Sequence, residues 1–487
     1  MCIRDRKNLI PSLLLIYSWT ASLVQADESY RIESLSTPSG VVCEVTGLDY
    51  TQDGTLYLCT RQGDVWSEKK GKWNRFAYGL HEPMGLCIGK DGEVYVSQRP
   101  EITQLIDENG DNICDYHKTI CADFSMETNF HQYTYGLIQD RTGNLFGTLS
   151  CAGLTRADGL PASAKGFSPS PYRMWSYKVT PDGQFIPWSS GLRTANGLGM
   201  NLNGDIFAAD NQGDWVGTSM LHHLNKGDFH GHPEALRWDA NFSQRGDPKK
   251  APIEILAGMR KPPAIHFPHG ELANSPGSPI CDTTAGKFGP FAGQLFIGDI
   301  VHPRIIRVAL EKVNGQFQGA CFPFYYGNGL KSGICRLVFS PSGDLIIGRV
   351  GEGNWARGLA GRGLQKIAYT GTDPFEIQRI ELLEDGFAFH FTKPLSLPSS
   401  QSLGKISVVS YRYKYGPNYG YPKNDFHNSK IKEMIITPDA KTIRLRIDNL
   451  KKNKIYQFNV TGITDQTGLN LRNSTAYYTL NELLVSY

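Results

Sequence analysis

One phrase of apolar and polar positions recurs along this chain: a Gly-Leu pair, a few residues, a tight turn, then an apolar or aromatic run. It stands as Gly47-Leu48-Asp49-Tyr50-Thr51-Gln52-Asp53-Gly54-Thr55-Leu56-Tyr57. It returns at Gly85-Leu86 with Asp91-Gly92-Glu93-Val94-Tyr95 and at Gly136-Leu137 with Thr142-Gly143-Asn144-Leu145-Phe146. The fourth copy is Gly197-Leu198 with Asn203-Gly204-Asp205-Ile206-Phe207. A degenerate fifth holds Phe291-Ala292-Gly293-Gln294-Leu295-Phe296, and the sixth runs from Arg336-Leu337 to Ser342-Gly343-Asp344-Leu345-Ile346.

Each copy predicts a β-hairpin. The Asp-Gly, Asn-Gly or Ser-Gly pair supplies the positive φ of a tight turn, and β-branched or aromatic residues alternate on either side. The spacing leaves room for roughly four strands per copy, the size of a propeller blade. A single blade cannot bury both faces, so the copies must stack in a ring. The expected fold is therefore all-β, a six-bladed β-propeller over residues 27–372. Long polar stretches at Thr155–Tyr172 and Arg237–Pro263 interrupt the pattern, and loops of this size usually shape a site.

From Asp373-Pro374 the pattern changes. Glu376–Leu383, Phe387–Phe391, Ile406–Tyr413, Ile431–Ile436, Thr442–Arg446 and Ile455–Val460 read as strands of an antiparallel sandwich over 373–487. This module resembles the Ig-like or fibronectin-like sandwiches appended to secreted bacterial enzymes. It concentrates no catalytic residue types, which points to packing or adhesion.

Composition narrows the partners. Fifty basic and 47 acidic residues leave a net charge of +3. With no basic stripe, nucleic acid is excluded as the expected partner. Residues 1–6 resemble a translated sequencing-adapter end and are set aside. Lys7, the apolar run Leu9–Val24 and the small-residue site Val24-Gln25-Ala26 then read as a signal peptide, so residues 1–26 are expected to comprise the adapter-derived end and a signal that directs export. An uncleaved signal anchor is the alternative and the only expected membrane contact. Setting Cys2 aside leaves nine of the ten cysteines, and Cys114 with Cys121 is a pair to consider in an oxidising compartment. No Cys-x-x-Cys-His is present, so any haem partner would be a separate protein.

Two long stretches, Asp210-Asn211-Gln212-Gly213-Asp214-Trp215-Val216-Gly217 and Phe267-Pro268-His269-Gly270-Glu271-Leu272, carry a resemblance to a known family. The chain resembles the glucose/sorbosone dehydrogenase family of soluble quinoprotein propellers, nearest to an exported bacterial branch labelled membrane-bound dehydrogenases. The resemblance implies a periplasmic or secreted enzyme that oxidises a sugar or polyol with pyrroloquinoline quinone (PQQ) or a related acceptor, passing electrons to a cytochrome c.

It also implies site residues. In Asn129-Phe130-His131-Gln132, His131 stands where the family has its catalytic base; a neutral imidazole there takes the hydroxyl proton as hydride leaves. A core histidine under the channel is the plain alternative. Gly191-Leu192-Arg193-Thr194-Ala195-Asn196-Gly197-Leu198 matches G-x-R-N-x-Q-G-L, so Arg193 keeps the guanidinium while Thr194 and Asn196 replace Asn and Gln. Gly333-Ile334-Cys335-Arg336-Leu337 keeps one of two quinone-gripping arginines, and Phe296-Ile297-Gly298-Asp299-Ile300-Val301-His302 lacks the family's lysine. The implied cofactor set is Gln98, Asn196, Asp210, His269, Asp299 and Arg336, with His131 and Arg193 catalytic.

Two further motifs concern metals. Gly227-Asp228-Phe229-His230-Gly231-His232-Pro233, with His222-His223 upstream, groups four histidines that could bind a metal or simply pack a loop. In Asp107-Glu108-Asn109-Gly110-Asp111-Asn112-Ile113-Cys114-Asp115, Asp107, Asn109, Asp111 and Asp115 offer oxygen ligands and Ile113 a carbonyl. That is calcium-loop spacing, although position 12 is Lys118, and it predicts a structural Ca²⁺. Two other functions stay open. One is a calcium-dependent lactonase-like hydrolase or lyase using Asn196 and Asp210 around a central Ca²⁺; the other is a propeller that only binds glycan or protein.

Overall fold

The computed structural model describes residues 29–124, 126, 132–150, 170–242, 246–327, 329–351, 361–396 and 405–484. Within them the chain is nearly all strand, with one seven-residue α-helix, Ile253–Met259. Successive hairpins build antiparallel sheets in strict chain order. The first sheet is Val45–Tyr50, Leu56–Thr60, Val65–Lys69 and Lys72–Ala77; the second is Gly85–Ile88, Val94–Ser97, Ile102–Ile106 and Tyr116–Cys121. The third is Thr134–Gln139, Leu145–Leu149, Trp175–Val179 and Phe185–Ser190; the fourth is Ala195–Met200, Ile206–Asp210, Ser219–His223 and Ile265–Phe267. The fifth begins Pro276–Cys281, Leu295–Asp299, Arg304–Val313 and Gln316–Tyr326. A sixth combines Ile334–Phe339, Leu345–Val350 and Arg362–Tyr369 with the N-terminal strand Tyr30–Ser34 at its outer edge.

The first strand of each sheet touches the first strand of the next, and that of the sixth touches that of the first. This is the architecture of a β-propeller. Between neighbouring sheets lie apolar layers, such as Tyr57, Cys59, Leu86 and Val96 between the first and second. Phe207, Leu221, Ile297 and Ile306 fill the gap between fourth and fifth. Tyr30 locks the closure: it is buried among Phe288, Phe324 and Tyr369 and donates from its hydroxyl to Phe288 O at 3.0 Å. The ring is thus closed by a strand from the start of the described chain, and large aromatics of this kind carry much of a core's burial energy.

The repeated glycine has a tertiary cause. First strands crowd at the axis, and a Cβ at Gly85 would lie 1.8 Å from Gly136 O of the next sheet. The fifth copy differs from the hairpin expected at Phe291–Phe296. Its second strand, Leu295–Asp299, pairs back to Pro276–Cys281 across a long connection, and Gly277 takes the glycine's place, 2.6 Å by its would-be Cβ from Cys335 O. Two prolines in that strand, Pro276 and Pro279, flank a register shift and hide it from a propensity reading.

After the ring, Ile377–Leu383, Gly386–Phe391, Thr442–Ile447 and Ile431–Ile436 form one sheet. Thr475–Leu480, Lys454–Thr461, Lys405–Tyr413 and Lys423–Ser429 form the other, and Tyr477–Thr479 pair with Gly319–Cys321. The fifth sheet therefore runs on into this module as a single eight-stranded sheet. A shared core joins Phe322 and Ala320 to Phe387, Tyr456 and Tyr478.

Cys114 and Cys121 are both free thiols, contrary to the pairing considered above. They sit at opposite ends of the strand Tyr116–Cys121; Cys121 is buried beside Phe124, whereas the Cys114 thiol donates to Tyr116 O at 3.3 Å. All eight cysteines among the described residues are free.

Candidate functional site

In each sheet the first strand starts, the second ends and the third starts at the same end of the ring. Arg193, Asn196, Asp210, Gln98, His269 and Asp299 all lie at or near that end, as the chain order requires. His131 lies outside the described residues; in the chain it precedes the buried Gln132.

Most of the implied cofactor residues are spent on the fold. Asp210 is fully buried and accepts from the backbone N–H groups of Arg193 (2.8 Å), Thr194 (2.7 Å) and Asn211 (2.9 Å). Asp299 does the same one sheet on, accepting from Asn274 (2.7 Å), Ser275 (3.2 Å) and Val301 (2.9 Å). These carboxylates staple the approach to their own first strands. Burial raises the Asp210 carboxyl above the usual range, against the pull of those amides and of Arg193. Gln98 accepts from His81 N at 2.7 Å and donates to Thr103 Oγ1 at 2.7 Å. His269 is exposed, with Asn274 Nδ2 3.4 Å from its Nε2.

Arg336 is the largest departure from expectation. Rather than offering an anion clamp, its guanidinium crosses the channel and holds three sheets. Nη1 donates to Asn196 Oδ1 at 2.6 Å and to Cys335 O at 2.9 Å, while Nη2 donates to Met84 O. Asn196 thus faces a cation rather than a cofactor. A central calcium held by Asn196 and Asp210 finds no support here, because the guanidinium stands against Asn196 and repels a second cation.

Arg193 is different. Its backbone is pinned by Asp210, and its guanidinium lies 5.5 Å from the ring centroid of Tyr419, a residue of the C-terminal module. Gly213 packs beneath it so closely that a Cβ would sit 2.4 Å from Nε. Asp214, next along, meets His232 Nε2 at 3.2 Å. Burial opposes ionisation of Asp214, but His232 and then Arg193 outweigh it and hold its carboxyl below the usual range.

Reading the sequence missed a wider pattern. Arg61, Arg99, Arg173, Arg193, Arg304 and Arg349 supply one arginine from each of the six sheets to this end. Arg61 pairs with Glu44 at 2.8 Å, and Arg99 with Glu82 while its guanidinium lies 4.2 Å from the Tyr133 ring centroid. Arg304 and Arg349 are buried, and Arg304 Nη1 and Arg349 Nε have no protein acceptor. The signal was available only in register: Arg61, Arg99 and Arg349 fall at the end of a second strand, Arg173 and Arg304 at the start of a third, and Arg193 before a first, boundaries that share one end of the ring.

The four histidines do not converge. His222 and His230 meet at 4.6 Å between ring centroids, fully buried, and none of their four ring nitrogens has a hydrogen-bond partner. His223 instead lies against Phe207 and Phe317, and His232 caps the short helical turn at Pro233. Burial, then neighbouring cations, drives His222 well below its ordinary value and His230 down to about 3. Nearby Arg260 donates to His230 O at 3.3 Å and packs over the Tyr415 ring.

The loop Asp107–Asp115 joins the third and fourth strands of the second sheet, at the opposite end of the ring. Asp107 accepts from Gly110 N (2.7 Å) and Asn112 N (2.8 Å), Asn109 from Asp111 N, Asp111 from Ile113 N, and Asp115 from Glu108 N. Among the described residues no three His, Cys, Asp or Glu side chains stand together in a metal-holding group.

Residues 69–319 match the family described as "Domain of unknown function (DUF7133)". No curated protein matches the chain. A glucose dehydrogenase structure is similar at 16% identity and a TM-score of 0.50, over 70% of this chain and 100% of that one, which shows the propeller fold. Also similar are a PQQ-bound aldose sugar dehydrogenase from Streptomyces coelicolor (16% identity, TM-score 0.48, 70% and 98% covered) and a Trichoderma reesei member of carbohydrate-active enzyme family AA12 in its calcium structure (16%, 0.49, 71% and 96%).

Proposed function

The chain belongs to the DUF7133 family, and from that footing we propose that it is an exported oxidoreductase-like propeller that oxidises a sugar or polyol at the arginine-lined end of its ring. In this reading residues 27–372 form six blades, 373–487 an Ig-like or fibronectin-like sandwich, and the signal peptide from Lys7 to Ala26 sends the protein to the periplasm or medium. A fold does not by itself fix a reaction. The observation that carries the reading is the supply of a guanidinium from each sheet to one end, two of them with buried N–H groups lacking a protein acceptor.

That donor set suits an acidic quinone such as PQQ, because guanidinium and carboxylate pair through charge-assisted hydrogen bonds. Arg193 and Arg304 are the residues that would hold it; Arg349, whose two Nη atoms donate to Gly361 O and Arg362 O, is committed elsewhere, as are Arg336, Asn196, Asp210, Asp299 and Gln98. When bound, the quinone would supply the two-electron acceptor. His131 would take the substrate's hydroxyl proton, and a separate cytochrome c would reoxidise the site.

Reconstitution with PQQ and Ca²⁺ tests this directly. The expected result is a quinone absorbance shift at micromolar quinone and dye reduction with at least one sugar or polyol. Arg193→Lys is expected to weaken quinone binding at least tenfold, since an ammonium loses the planar fork. Absence of any shift in the wild type would sink the oxidoreductase reading.

Calcium is proposed at Asp107, Asn109, Asp111, Ile113 and Asp115 as a brace for the second sheet. The hard-oxygen donors suit it, and binding would have to draw together Asp107, Asp111 and Asp115, which do not form a metal-holding group on their own. Saturating Ca²⁺ is expected to raise the thermal midpoint by about 2–3 °C, on the order of 2–3 kcal/mol of linkage. Asp107→Ala should abolish the increment; an unchanged increment would place the ion elsewhere.

A further inference from the structure

The C-terminal module reaches the mouth of the ring. Its connector between Lys405–Tyr413 and Lys423–Ser429 lies along the loop that carries Asp210 and Asp214. Gly420 N donates to Gly213 O at 2.8 Å, Tyr421 N to Gly217 O at 3.0 Å, and the Tyr415 hydroxyl to Gly231 O. Asp214 and Tyr419 form a β-bridge. The left-handed Gly420 (φ +63°) permits the close approach: a Cβ there would sit 2.8 Å from the Gln212 carboxamide carbon.

This anchoring fixes the position of Tyr419. Its backbone is fixed on both sides, its ring is 5.5 Å from the Arg193 guanidinium, and yet it is 62% exposed. Aromatic rings gain most by burial, and this one is held in place beside a cation with its surface open to a flat partner. The partner's chemistry follows from the setting. The C–H face of a pyranose is apolar enough to cover the ring, while its hydroxyls reach the polar groups at the mouth.

We propose that the Lys414–Tyr421 connector is one wall of the substrate site and that Tyr419 stacks the sugar ring beside Arg193. The carbohydrate class rests on the reading above; the wall itself rests on the contacts just described. The module is then part of the site, rather than a packing or adhesion appendage.

The test is titration calorimetry of the full chain, without quinone, against glucose, xylose and cellobiose, for wild type, Tyr419→Ala and Tyr419→Phe. Expected are at least tenfold weaker binding for Tyr419→Ala and affinity within about twofold for Tyr419→Phe, with thermal midpoints unchanged because the ring is exposed. Wild-type binding that Tyr419→Ala leaves intact overturns the proposal, as does absence of sugar binding by the wild type. The parallel quinone titration keeps the two ideas apart. A quinone shift with no Tyr419-dependent sugar binding sinks the wall alone; Tyr419-dependent sugar binding with no quinone shift sinks the oxidoreductase reading and leaves the wall standing.

Discussion

Acidification from pH 7 to pH 5 is expected to remove about 4 kcal/mol of stability through His222 and His230 together. Both rings are held neutral in the fold, with His230 at about 3 and His222 well below its ordinary value, burial being the main cause. In the unfolded chain both return to about 6.5. Below that value the unfolded state binds protons that the native state does not, so stability rises with pH through the window from about 3 to about 6.5 and falls on acidification. Each contributes about 2 kcal/mol at pH 5. The surroundings modulate this. Arg260 disfavours protonation of both rings, and Asp210 Oδ2, 3.9 Å from His222 Nε2, is the nearest carboxylate. Asp49, raised to about 6 by burial, works in the opposite direction and offsets part of the loss. The readout is therefore a difference: urea unfolding at the two pH values for wild type and for His222→Gln/His230→Gln. The double variant should lose about 4 kcal/mol less on acidification, and equal pH slopes would refute the assignment.

Arg336→Met is expected to cost about 3–5 kcal/mol, the second large effect. The side chain is 5% exposed and bonds to Asn196, Cys335 and Met84, on three different sheets. Methionine fills similar volume but leaves those oxygens without donors, at about 1–3 kcal/mol for each buried group. Arg336→Lys should recover only part, because one ammonium cannot span the same acceptors. Thermal unfolding measures both. If Arg336 were instead a cofactor clamp, the Met variant would keep its midpoint and lose only quinone affinity.

How far the chain could be read without its fold depends on the range of the interaction. Turn chemistry is local, so the copies at Gly47, Gly85, Gly136, Gly197 and Arg336 each mark the first hairpin of a sheet. The fifth was legible only as a degenerate copy, at the start of its second strand, because its hairpin has no tight turn: residues 282–294 separate the paired strands, and Gly277 carries the signal instead. In the C-terminal module six strands were legible, whereas Lys423–Ser429, polar apart from Phe426, and Thr475–Leu480, buried at nearly every position, gave no alternation to read.

Site chemistry was less legible. A carboxylate such as Asp210 or Asp299 has the same letter whether it meets a ligand or the amides of its own loop. Only register distinguishes the two, and register also gathers the six arginines from six distant segments. The sequence by itself determined what depends on neighbours in the chain: β-hairpins and the tight turns that join their strands. The tertiary structure alone decided what depends on distance in space. It closed the ring with Tyr30–Ser34, spent Arg336 and Asn196 on each other across the channel, left the rings of His222 and His230 buried without hydrogen-bond partners, and laid Tyr419 beside Arg193. Each of these is a through-space contact between segments far apart in sequence, for which no local periodicity exists.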